Sequence, residues 1–271
     1  MILSRNSHAD GKSDYKMLKN AGWQAIDINE TCYGNKFLEG KEKGIEYVKN
    51  VIFRVTEAGL IVGQCHAPMA GTYEGLSDEE MEKTVLSVVN CTEIASELKI
   101  PYTIVHPFIY SWSVEDPDPE KTYQLNVRYL KRVMEKAENT VVCLENMPGI
   151  RGFIRTGEDL KNMCDAVSPE LAVCLDTGHA FSNKLKTSQF FEVLGDKIKA
   201  LHVHDTVAGT DSHLLPFTGG GDWADFKESL KKYNYSGTLN SESSFSECLP
   251  EDNELKWQTF EREVFEELLC Y

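Results

Sequence analysis

The sequence predicts an α/β protein built as a single (β/α)8 TIM barrel over residues 1–271, and three observations carry that expectation. Short apolar runs of strand length recur along the chain, segments of helical period separate them, and one run after another ends in a histidine or a carboxylate. Continuous apolar runs suit strands buried on both faces, as in parallel sheets, and parallel strands need helical crossovers. Length alone fits either two average domains or one barrel of about 250 residues. No Ser/Gly- or Pro-rich linker divides the chain. The even number of runs and the absence of a GxGxxG turn favour a closed barrel over a doubly wound open sheet.

The expected strands cover residues 1–5, 25–29, 60–65, 102–106, 141–145, 172–176, 199–204 and 238–242. Ser77-Asp78-Glu79-Glu80 forms a capping box, and Met81, Val85, Val88, Thr92, Ala95 and Leu98 follow it at helical spacing. Shorter helices are expected over 123–137, 157–167, 189–194 and 223–233, with Asp116-Pro117-Asp118-Pro119 as the turn opening the first. The last helix places Trp257, Phe260, Val264 and Leu268 on one stripe. Period-2 alternation turns Cys143, Cys174 and Ala200 into the barrel with Glu145, Asp176 and His202; Leu144, Leu175 and Leu201 then face the helices.

Composition narrows the function. With 41% hydrophobic and 26% charged residues the chain lies in the globular range. It carries 28 basic and 43 acidic residues, a net charge of −15, which opposes a general affinity for nucleic acid or anionic membrane. Cys65, Cys143 and Cys174 lie inside apolar runs and no CxxC pair occurs, so reduced buried thiols and a cytoplasmic setting are expected. No signal-peptide-like stretch follows Met1, and no run approaches the ~18 apolar residues of a membrane span.

The strand ends carry the chemistry. In order they present His66, His106, Glu145, Asp176 with His179, and His202 with His204; Asp211 and His213 follow in a loop, and Glu242 closes the set. Every histidine but His8 belongs to it. In a parallel barrel these ends face one mouth, where active sites are built. Each residue taken singly reads as a loop or satisfied core group; their succession points to a metal site, because buried carboxylates are costly unless paired or bound to a cation. Glu145, Asp176, His202 and Glu242 supply carboxylate oxygens and one imidazole, a set suited to a single Mn²⁺, Co²⁺, Zn²⁺ or Mg²⁺. Trp112, with Tyr110 and Phe108, is placed to wall a substrate pocket, and Arg151 and Arg155 to meet a phosphate or carboxylate. Gly219-Gly220-Gly221 lacks the lysine of a P-loop and reads as a flexible connector.

At these residues the sequence resembles the xylose isomerase-like TIM barrels, which comprise sugar phosphate isomerases and epimerases and the endonuclease IV type of abasic-site nuclease. The resemblance runs from Asn6 to Glu242. Its most specific parts are Leu144-Glu145-Asn146, Leu175-Asp176-Thr177-Gly178-His179-Ala180, His202-Val203-His204-Asp205, and Asp211-Ser212-His213 leading into Pro216 and Gly219-Gly220-Gly221-Asp222-Trp223. The isomerase branch implies one divalent metal on Glu145, Asp176, His202 and Glu242, with the two glutamates as acid and base about a metal-stabilised enediolate. His66, His106, His179, His204, Asp211 and His213 are then candidates to bind substrate. The nuclease branch implies a trinuclear zinc site, and matching positions exist at His66, His106, Glu145, Asp176, His179, His202, Asp211, His213 and Glu242, so additional zinc is an alternative.

Two departures bear on the choice. Ser212 stands where the nuclease pattern has arginine, and no Lys or Arg occurs from His202 through His213. The ketohexose 3-epimerase branch also normally has an arginine shortly after this histidine. With the acidic balance, the first departure favours a small-molecule carbohydrate substrate over DNA. The expected activity is isomerisation or epimerisation of a sugar, sugar phosphate or keto-polyol, with lyase or dehydratase chemistry a close variant. The alternatives are a zinc-dependent abasic-site hydrolase and a non-catalytic barrel. Self-association into a homo-oligomer is left open, since no helix stripe is apolar enough to name an interface.

Overall fold

The computed structural model describes residues 1–7, 13–29, 40–149, 153–244 and 253–270. Eight parallel strands, β1 (Ile2–Asn6), β2 (Ala25–Ile28), β3 (Ile61–His66), β4 (Tyr102–Val105), β5 (Val141–Glu145), β6 (Ala172–Asp176), β7 (Ile198–Val203) and β8 (Thr238–Ser241), pair in chain order, and β8 pairs back onto β1. Around them lie α1 (Tyr15–Asn20), α2 (Lys41–Glu57), α3 (Asp78–Glu97), α4 (Pro119–Met134), α5 (Gly157–Val167), α6 (Thr177–Ser182), α7 (Thr187–Leu194), α8 (Trp223–Lys232) and α9 (Glu254–Glu267). This is the (β/α)8 barrel expected.

Local chemistry sets the helix starts. The Ser77 hydroxyl accepts from Glu80 N at 3.3 Å while the Glu80 carboxylate accepts from Ser77 N at 2.8 Å, completing the capping box of α3. Thr156 and Asp159 repeat the device on α5. The helix expected from residue 123 begins earlier, because Asp118 caps it and Pro119 occupies its first turn, where a missing N–H costs nothing.

The alternation read from the strands holds. Ile104, Cys143, Ala172, Cys174 and Ala200 form one apolar layer inside the barrel, while Leu144, Leu175 and Leu201 pack in the layer beneath the helices. The described cysteines are all free, and all but Cys270 are buried. No helix among the described residues is long and apolar enough to cross a membrane.

One expectation needs correction. α9 does not dock through Trp257, Phe260 and Val264; Phe260 is 48% exposed, and the buried residues are Gln258, Glu261 and Phe265, with Leu268 just beyond. Polar partners explain the shift. Trp23 Nε1 donates to Gln258 Oε1 at 3.1 Å, Arg5 Nε lies 3.4 Å from Glu261 Oε2, and the Ser241 hydroxyl donates to Glu261. Bonded in this way, the two polar side chains occupy the inner face of the helix.

Candidate active site

Every strand-end donor arrives at the C-terminal mouth. Glu145, 1% exposed, is the hub. Its Oε2 lies 3.1 Å from His106 Nε2, 3.2 Å from His202 Nδ1 and 3.6 Å from His66 Nε2; its Oε1 lies 3.3 Å from His179 Nδ1. Glu242, the residue after β8, places Oε1 3.2 Å from His202 Nδ1 and accepts from Asn6 Nδ2 at 3.0 Å. Asp176 caps α6 by accepting from His179 N at 2.6 Å, and both its oxygens lie 3.1 Å from His204 Nε2. Asp211 Oδ2 lies 3.4 Å from His179 Nε2, and its Oδ1 lies 3.4 Å from His213 Nε2. Several of these rings are also tied to the main chain. His66 Nδ1 donates to Ala67 O at 2.8 Å, His179 Nδ1 to Asn146 O at 2.7 Å and His213 Nδ1 to Glu242 O at 2.9 Å.

The pocket-wall expectations fare differently. Trp112 is 51% exposed on the loop after β4. Phe108 is fully buried, its ring centroid 5.1 Å from that of Tyr129, so it belongs to the core rather than to a pocket wall. Tyr110 packs edge-on against Tyr73. Arg151 lies outside the described residues. Gly219-Gly220-Gly221 is no flexible connector: the amides of Gly219 and Gly221 donate to the buried Asp205 carboxylate at 2.8 and 2.9 Å.

The donors fit a cation. Ligand atoms of Glu145, Asp176, His202 and Glu242 all lie within 4.8 Å of one another, as do those of His66, Glu145 and His202, of Asp176, His179 and His204, and of His204, His213 and Glu242. His202 Nδ1 is buried and makes no hydrogen bond, although two carboxylate oxygens stand 3.2 Å away. Those oxygens lie off its N–H line. A lone pair at Nδ1 and the carboxylates facing it make a set of donors for a divalent ion.

Residues beneath the mouth complete the arrangement. A register shift sets Asp27 opposite Gln64, and Gln64 Nε2 donates to Asp27 Oδ2 at 2.9 Å. His202 Nε2 lies 2.9 Å from Gln64 Nε2 and 3.5 Å from Asp27 Oδ2. Asn240 Nδ2 reaches Asp27 Oδ2 at 3.3 Å and Asn6 Oδ1 at 2.6 Å. Partners on the far side of a ligating imidazole orient the ring. Asp27, Gln64 and Asn240 are absent from the sequence-based set. Their signal was there, since each is a polar residue inside a strand on the inward face, two residues before a site residue in the case of Gln64.

Burial by itself would raise the carboxylates and lower the imidazoles. Against that penalty, His202 and His106 hold Glu145 well below the carboxylate range, and His179 and His204 lower Asp176. His202 is raised well above its ordinary value by its acidic neighbours. Burial opposes but does not prevent a rise of His179 to about 10, driven by Asp176, Asp211 and Glu145, and of His213 to about 9, driven by Asp211 and Glu242. For His106 burial wins and the value falls. Without a cation, imidazolium charges balance the carboxylates.

The Asp176-Thr177-Gly178-His179 turn needs its glycine. A Cβ on Gly178 would sit 2.0 Å from His204 Cε1, while Thr177 Oγ1 donates to His204 O at 2.8 Å. Gly178→Ala is expected to displace the His204 ring and to cost about 1–3 kcal/mol, the usual range for overpacking, as read by denaturant unfolding.

The family model described as xylose isomerase-like TIM barrel matches residues 16–259. A D-psicose 3-epimerase of Enterocloster bolteae is 24% identical over 79% of the chain and 72% of its own length. A probable endonuclease 4 of Metamycoplasma arthritidis is 27% identical over 55% of each. The crystal structure of a D-tagatose 3-epimerase-like protein superposes with a TM-score of 0.74 at 23% identity, covering 99% of this chain and 97% of its own. Other curated relatives are matched over 24% to 66% of their length, among them an uncharacterised protein of Methanocaldococcus jannaschii. By a family model that spans nearly the whole barrel, the chain belongs to the xylose isomerase-like TIM barrel family.

Proposed function

We propose that the chain is an enzyme that isomerises or epimerises a sugar, sugar phosphate or related keto-polyol, with a divalent cation held by Glu145, Asp176, His202 and Glu242. One observation carries the reading: Glu145 and Glu242, from β5 and the end of β8, converge on His202 Nδ1 at 3.2 Å each. Moving a proton at a carbon beside a carbonyl calls for a base and an acid at that carbon, and two convergent carboxylates supply both. When bound, the cation supplies Lewis-acid polarisation of the substrate's oxygens. Glu145 and Glu242 then take and return the proton. Return to the neighbouring carbon gives aldose–ketose isomerisation, and return to the opposite face of the same carbon gives epimerisation. His66, His106, His179, His204, Asp211 and His213 are assigned to substrate hydroxyls, Trp112 to the rim, and Arg151 to a charged substituent. The epimerases among the similar proteins support the isomerase or epimerase reading.

A specific feature favours a second reading, hydrolysis of abasic DNA by a multi-zinc centre. His66 and His106 gather on Glu145, and His179 and His213 on Asp211, as further donor groups beside the first. The net charge of −15, and the lack of Lys or Arg from His202 through His213, weigh against it. Metal analysis of protein purified without chelator separates the two. One tightly bound ion, with solvent deuterium entering carbon in a panel of ketoses and keto-inositols, is expected. Three zincs with cleavage of an abasic duplex would install the second reading, and no uptake of any divalent metal would remove both.

A further inference from the structure

Asp211 and His213 enter the mouth on the segment between β7 and α8, in which no helix or strand is formed. A buried carboxylate organises that segment. Asp205 is 0% exposed, and four N–H groups converge on it. Thr206 N and Gly221 N donate to Oδ1 at 2.8 and 2.9 Å; Gly219 N and Trp223 Nε1 donate to Oδ2, both at 2.8 Å. Hydrogen bonds to an ionised acceptor are roughly twice as strong as neutral ones, and successive main-chain N–H groups form a cradle for an anion. Here the anion is the chain's own side chain.

The main chain closes the same knot. Asp205 and Leu214 exchange two N–H···O bonds of 2.7 Å, so the segment returns to Asp205 directly after His213. Gly220 N donates to Thr206 O at 2.9 Å, and Ser212 N donates to Thr206 Oγ1 at 3.0 Å. Both outer glycines are required by close approach. A Cβ on Gly219 would lie 2.5 Å from Asp205 Oδ1, and one on Gly221 would lie 2.4 Å from the Phe181 ring. His213 itself sits at φ +45°, a left-handed conformation that a non-glycine residue keeps only when its surroundings impose it.

We infer that Asp205 is the positioning residue of this half of the mouth: by filling the N–H cradle it holds residues 206–222 in the one arrangement that sets Asp211 against His179 and His213 against the Glu242 carbonyl. The inference rests on the mouth being the reaction site and is the same for one metal or several.

The test uses the full chain, metal-free and labelled with ¹⁵N-histidine, in two variants. Asp205→Asn turns an acceptor into a donor facing N–H groups; Gly219→Ala keeps the charge and crowds Oδ1. Long-range ¹H–¹⁵N spectra report each imidazole's tautomer and hydrogen bonding. In both variants the His213 and His179 ring signals are expected to shift or broaden, while His66, bonded to Ala67 and facing His179 across Glu145, is expected to shift less than either. A merely stabilising Asp205 would lower the melting temperature and leave all three rings unmoved. Unmoved His213 and His179 signals in either folded variant overturn the inference. Wild-type protein that takes up no divalent metal and exchanges no carbon-bound hydrogen would overturn the functional reading instead, and would leave the ring result standing.

Discussion

Glu145→Gln is expected to abolish carbon–deuterium exchange, with a loss of at least about 10²–10⁴-fold, the range for removing a general acid or base. The substitution is isosteric, but it removes the charge around which His66, His106, His179 and His202 are gathered. The proposed cation would lose a ligand at the same time, which pushes the effect to the upper end. Breaking a buried ion pair by removing one partner costs roughly 3–5 kcal/mol, so a folded variant must be shown by circular dichroism before activity is compared. Glu242→Gln makes the sharper partner experiment. Of the four imidazoles gathered on Glu145, Glu242 pairs with His202 alone, so its loss disturbs the buried hub less. Exchange at the wild-type rate in both variants would refute their acid and base roles.

A comparably large effect is expected from metal loading on stability. A ligand at a hundred times its Kd stabilises the folded state by about 2.7 kcal/mol, which for a domain of this size raises Tm by roughly 5–11 °C. Chelator should reverse the shift. The direction with pH follows from the imidazoles. His202, the one imidazole among the proposed ligands, is raised well above its ordinary value, so near neutrality the metal-free site holds a proton that ligation must displace. Affinity should therefore rise with pH, and calorimetry in buffers of different ionisation enthalpy should detect proton release. A Tm indifferent to Mn²⁺, Zn²⁺, Co²⁺ and Mg²⁺ would remove the proposed centre.

The barrel and its ring of donors were legible because both are written in short-range patterns. β5 and β6 match the expected strands end to end, since Val-Val-Cys-Leu-Glu and Ala-Val-Cys-Leu-Asp are apolar until the residue that leaves the sheet. Period 2 then decides which side chains enter the mouth. What the pattern could not give depends on partners distant in sequence. The inner face of α9 is polar because Trp23, Arg5 and Ser241 wait for it, and no periodicity in α9 itself announces them. Asp27 reads as one polar residue in an apolar strand until Gln64 and His202 are placed beside it. The glycine triplet was misread for the same reason: its amides face a carboxylate of the preceding strand end.

The apolar layer of Ile104, Cys143, Ala172, Cys174 and Ala200 closes the barrel under the mouth. Its members are at most 4% exposed, and Glu145 directly above is 1% exposed. That layer closes the proposed reaction site from below. Under the proposed function, product then leaves on the side from which substrate enters, and product inhibition competitive with substrate is the pattern expected in initial-rate kinetics.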